Sequence, residues 1–86
     1  MPDKWLIEAI MHELSNAREK FKPFISAHQG YAVLLEEVDE LWELVKLKPD
    51  IRDATAMTKE AIQIAAMAIR FAEDISIPDV HEDVIP

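Results

Sequence analysis

The segment Tyr31-Ala-Val-Leu-Leu-Glu-Glu-Val-Asp-Glu-Leu-Trp-Glu-Leu-Val-Lys-Leu47 decides how this chain is read. It lacks the alternation of a half-buried strand. Wound as a helix at roughly 100° per residue, it gathers Val33, Leu44, Leu41, Leu34, Val45 and Val38 into one broad apolar arc. Glu37 falls inside that arc, between Leu44 and Leu41. Glu40 falls between Leu47 and Val33, and Glu36 lies just beyond Leu47. Asp39, Glu43 and Lys46 take the opposite, solvated side. A carboxylate that faces a core costs several kcal/mol unless something compensates it. Carboxylates that converge there point to a hard cation such as Mg²⁺ or Mn²⁺.

The rest of the chain reads as helix around this one. There is a single glycine, Gly30, and no cysteine. A first helix is expected from about Asp3 to Lys20, with Leu6, Ile10, Leu14, Ala17 and Phe21 along its buried face. Pro23 makes Phe21–Ser26 a connection, because the residue before a proline is pushed out of the helical region. Ser26 and Gln29 fit a capping box that opens the second helix. Lys46 and Lys48 suit its end, and Pro49 stops it. A third helix begins between Asp50 and Ala54, capped by Asp50 or Asp53, and runs to about Ile75, where Pro78 closes it. Its many alanines allow a neighbouring helix to approach closely, at a bundle centre or a subunit interface.

Composition sets the outer limits. With 86 residues there is one small domain. A domain of this size buries only roughly 60–65% of its unfolded surface. Yet 50% of the residues are hydrophobic. The surplus apolar surface predicts an oligomer, a homodimer or a dimer of dimers. There are 17 acidic and 9 basic residues, for a net charge of −8. That argues against nucleic acid and against an anionic membrane as partners. Without cysteine, disulfides, thiolate catalysis and thiolate-bound zinc are excluded. No signal-peptide pattern and no apolar run near the ~20 residues of a membrane span are present, so a cytoplasmic protein is expected.

A facing half of the acidic site is needed, and Glu60 on the third helix is the best candidate. Gln63 follows at i+3. Further along the stripe lie Arg70 and Asp74, and a guanidinium there could receive a phosphate. Each residue has a plainer reading. An acidic triplet is commonly a solvated face. Glu60 could pair with Lys59 or Arg70, and Arg70 reads more readily as a surface or inter-subunit ion pair. His12, His28 and His81 share no ligand spacing, although His28 beside the second helix start could approach a ligand. Tyr31 and Trp42 read as packing residues.

Glu36-Glu37-Val38-Asp39-Glu40 resembles the EExxE motif of the MazG-like, all-α nucleoside triphosphate pyrophosphohydrolases, and Glu60-Ala-Ile-Gln63 stands where that family has ExxD. The resemblance covers roughly His28 to Asp74. It implies cleavage of a nucleoside triphosphate, ribo or deoxy, between the α- and β-phosphates, releasing pyrophosphate in a Mg²⁺-dependent reaction. It implies Glu37, Glu40, Glu60 and Gln63 as the metal ligand positions, and Glu36 as the group that orients or deprotonates water. Lys59, Arg70 and His28 are carried as substrate-binding candidates. Gln63 departs from the family pattern, because an amide brings no charge to the cation. The chain is also read as lacking the family's usual extra C-terminal helix.

The resulting expectation is an all-α bundle of three main helices per chain, completed by oligomerisation. Residues 1–75 form a single MazG-like domain, and 76–86 form a tail that is docked on a partner subunit or disordered. The leading function is nucleotide house-cleaning or pool adjustment by pyrophosphohydrolysis. The alternative is a non-catalytic oligomeric helical module or a degenerate member of that family.

Overall fold

The computed structural model describes residues 3–79, and these form three α-helices with no strand among them. Helix α1 spans Asp3–Lys20, α2 spans Ala27–Val45 and α3 spans Ala54–Phe71. The helix α3 is central and packs along both α1 and α2. A 3₁₀ turn, Pro49–Ile51, joins α2 to α3. After Phe71 the chain widens into a π-helical turn, Ala72–Ser76, and then tightens into a 3₁₀ turn, Ile77–Asp79. The last part of the expected tail, 80–86, lies outside the described residues, as does His81.

The local signals in the sequence explain the helix starts. Ser26 Oγ accepts from Gln29 N at 3.0 Å, and Asp53 Oδ1 accepts from Ala56 N at 3.1 Å. Each satisfies one of the four backbone donors that a helix start leaves open. The reciprocal half of the expected capping box lands one residue early. Gln29 Oε1 accepts from Ile25 N at 2.7 Å rather than from the Ser26 amide. The C-terminal end of α2 is held by Arg52, whose Nε donates to Val45 O at 2.9 Å.

The core is small. Leu14, Ala17, Phe24, Ala66 and Met67 are buried, with Val33, Leu34, Ile69, Phe71 and Ile75 packed around them. Burying a leucine such as Leu14 contributes about 1.5–3 kcal/mol. Several expected core residues stay outside. Phe21 is exposed because α1 ends at Lys20, one residue before it. Val38, Tyr31 and Trp42 are also exposed. The arc drawn on α2 is wider than the strip that α3 can cover, so only Val33, Leu34, Leu41, Leu44 and Val45 are partly buried.

At Gly30, α2 lies close against Phe71 of α3 and Phe24 of the link. A Cβ added there would stand 2.6 Å from Phe71 Cδ2 and 3.2 Å from Phe24 Cδ2. Both rings belong to the packed core and cannot both retreat without opening it. Gly30→Ala would normally gain up to ~1 kcal/mol of helix propensity. The overlap is expected to outweigh this, with a net loss of about 1–2 kcal/mol. Urea denaturation measures it, and a variant at least as stable as the parent would show that the rings move aside freely.

Candidate metal centre

The packing of α2 on α3 brings Glu37, Glu40 and Glu60 together. One carboxylate oxygen from each lies within 4.8 Å of the others. Glu37 and Glu40 are one helical turn apart on α2, and Glu60 faces them from α3. Glu37 and Glu60 are half-buried, whereas Glu40 is largely exposed and only its carboxylate turns to the group. The inward direction read from the sequence therefore holds for Glu37 more than for Glu40. Glu60 Oε2 is buried and receives no hydrogen bond. No lysine or arginine forms an ion pair with any of the three among the described residues.

These carboxyls titrate abnormally. Burial raises Glu37 first, and the charges of Glu40 and Glu60 raise it further, from 4.5 to about 7. Glu60 is raised by burial and then by Glu40. The cluster thus holds more protons at neutral pH than free glutamates would. A divalent cation reverses the repulsion and competes with those protons. Around one Mg²⁺ ion neighbouring ligand oxygens stand about 3 Å apart and opposite ones about 4.2 Å apart, and somewhat farther around larger hard cations. Three carboxylate oxygens within 4.8 Å of one another would close up by side-chain rotation to share one ion. The donor set, three carboxylates with one buried oxygen unsatisfied, fits such an ion.

Beside the cluster lies a cavity of about 550 Å³. Glu36 and Glu37 from α2, Gln63 and Arg70 from α3, and Asn16 and Lys20 from α1 reach it. Glu36 is exposed on its wall, and Gln63 is half-buried. Lys59 and His28 are exposed and do not line it. Of the three substrate-binding candidates, only Arg70 is therefore brought to the cavity.

Arg70 itself departs from the surface ion pair that its sequence context favours. It is only 4% exposed. Its guanidinium lies over the Phe24 ring at 4.2 Å and near the Phe21 ring at 5.9 Å. It donates to Lys22 O at 3.3 Å and approaches Met67 Sδ at 3.4 Å. No carboxylate pairs with it within 4 Å among the described residues. The nearby Asp74 is engaged elsewhere, accepting from Phe24 N at 3.0 Å. A guanidinium has five N–H donors, more than these two contacts use, and Arg70 is among the residues that line the cavity. Phe24 was not foreseen as a site residue. Its only sequence signal was an aromatic beside Pro23 in the link after α1, since its partners Arg70 and Gly30 come from other parts of the chain.

Comparison with family models, with curated proteins and with solved structures finds no match to this chain. The site is therefore read from its own geometry.

Glu37 gives a pH dependence with a definite sign. The unfolded chain releases this proton near 4.5, and the folded chain holds it to about 7. The group's contribution to stability is complete below 4.5 and is lost as the pH rises through 7. Metal-free protein is expected to melt at a lower temperature above pH 7 than near pH 5, and Mn²⁺ added at the higher pH should restore the loss. A metal-free melting temperature that rises across this interval would refute the perturbed carboxyl.

Proposed function

We propose that this chain is a divalent-cation-dependent nucleoside triphosphate pyrophosphohydrolase acting on NTP or dNTP. The observation that carries the reading is the convergence of Glu37, Glu40 and Glu60 with an unsatisfied buried oxygen, beside a cavity that also holds a buried guanidinium. The resemblance of Glu36–Glu40 and Glu60–Gln63 to the MazG-like motifs supports it. In this reading the functional form is a homo-oligomer in the cytoplasm.

Glu37, Glu40 and Glu60 would hold Mg²⁺ or Mn²⁺, and Gln63 would serve as a further ligand. When bound, the cation neutralises phosphate charge and stabilises the charge that develops during transfer. Glu36 stands on the cavity wall, free of the cluster, where a carboxylate can orient a water and take its proton. Arg70 presents its free donors to the phosphates. A planar guanidinium suits two oxygens of one phosphate. Its stacking on Phe24 fixes that plane before the substrate arrives.

One observation favours a second reading, a cation-binding module without catalysis. Gln63 replaces the second acid of the ExxD-like pair and leaves the site one negative charge short. Two measurements separate the readings. Calorimetry with Mg²⁺ and Mn²⁺ reports binding alone, and a screen of NTPs and dNTPs for pyrophosphate release reports turnover. Cation binding without any pyrophosphate release supports the module.

Glu40→Gln is expected to reduce pyrophosphate release at least about a hundredfold while the helical circular dichroism stays intact. Turnover unaffected by that change would remove the site assignment. Arg70→Met is expected to weaken substrate by about ten- to a hundredfold, the value of hydrogen bonds to a charged group, and to act mainly on KM. If neither cation binds and Glu37→Leu stabilises the protein, the carboxylates are merely tolerated.

A further inference from the structure

The cavity has a second end, at the link between α1 and α2. Lys20, Phe21 and Lys22 line it from the close of α1 and the link, and Gln29 lines it from the first turn of α2. Along α2, Gln29 stands two turns before Glu36, roughly 10 Å of helix at 1.5 Å per residue. That is the order of length of a nucleotide from its phosphate to the far edge of its base.

Gln29 is held at two points. Its backbone amide donates to Ser26 Oγ at 3.0 Å, and its side-chain Oε1 accepts from Ile25 N at 2.7 Å. A backbone N–H finds an acceptor only in the oxygen of a side-chain amide, so this contact fixes which way the amide is turned. The oxygen is taken, and Nε2 is left with N–H donors alone. Lys20 and Lys22 are exposed, form no ion pair among the described residues, and are also donors only. Asn16, a turn earlier on α1, lies nearer the carboxylates. The polar side chains at the link end therefore share one character: they donate and do not accept. Between them stands Phe21, which is 61% exposed on the cavity wall. An open aromatic face is a platform for a planar ring, and base–aromatic stacking tolerates any base.

We propose that Phe21 and Gln29 form a base subsite that selects bases presenting a carbonyl oxygen over bases presenting an amino group. The inference rests on the nucleotide reading above and deepens it by naming the class of substrate. The phosphates lie between the carboxylate cluster and Arg70, and the base lies beyond Arg70, stacked on Phe21. Gln29 Nε2 donates to O6 of hypoxanthine or guanine, or to O4 of uracil or thymine. An amino group at the same ring position sets N–H against N–H. The paired contact by which a glutamine reads adenine needs its amide oxygen as well as its nitrogen, and the Ile25 amide already holds that oxygen. The ammonium groups of Lys20 and Lys22 add to the same bias, since they too seek an acceptor. Because Gln29 is exposed, the selection is that of one solvated hydrogen bond, about tenfold.

Triphosphates with a methylene bridge between the α- and β-phosphates resist cleavage there, so calorimetry with them and Mg²⁺ measures binding apart from turnover. The inosine analogue should bind about tenfold tighter than the adenosine analogue, and the uridine analogue about tenfold tighter than the cytidine analogue. Gln29→Glu keeps an oxygen for the Ile25 amide and turns the free donor into an acceptor. It should abolish or reverse both ratios while the helical circular dichroism is retained. Phe21→Ala should weaken all four analogues at least about fivefold through lost stacking. Equal affinities within each pair, ratios indifferent to Gln29→Glu, or no binding of any analogue overturns the subsite. If the ratios are found while no NTP or dNTP releases pyrophosphate, the subsite stands and the hydrolase reading falls.

Discussion

Most of this structure depends on where one aromatic ring sits. Phe24 lies in the link between α1 and α2, buried, with Arg70 stacked over it and the bare Cα of Gly30 beside it. Asp74 holds its backbone amide. The ring therefore joins all three helices and the turn after α3. It sets the distance between α2 and α3 at one end of their contact. That distance decides whether Glu60 reaches Glu37 and Glu40 further along the same contact. A larger residue at position 30 would part the helices at the ring and change the spacing of the carboxylates too.

The interface between α2 and α3 thus has two ends of opposite character. One end is apolar and close-packed, where dispersion and burial hold the helices together. The other end concentrates like charge in a half-buried place, which pushes them apart. Packing and like charge therefore pull on the same pair of helices in opposite directions. Proteins commonly tolerate such local strain at binding sites when packing elsewhere exceeds it.

Much of the fold was legible in the sequence. Pro23, Pro49 and the single glycine left only three helices, and Ser26 and Asp53 marked two of their starts. The convergence of Glu37 and Glu60 was also legible, because helical phase put both against a neighbouring helix. What escaped were facts that depend on distance rather than phase. Phase shows Arg70 on a stripe with Asp74, but not that Asp74 is taken by the Phe24 amide. It shows Val38 on an apolar arc, but not that α3 is too narrow to cover it. Exposed Phe21 was misread for a similar reason, since periodicity continues on paper past the residue at which the helix stops.

The π-helical turn at Ala72–Ser76 fits one more residue per turn than an α-helix would. It therefore absorbs an extra residue that would otherwise put Asp74 and Ile75 out of phase with α3. Loss of one residue here would let α3 run on as a regular helix, and Asp74 would swing away from the Phe24 amide. Gain or loss of a single codon in this short stretch could thus reshape the cavity wall while the residues of the carboxylate cluster stay as they are.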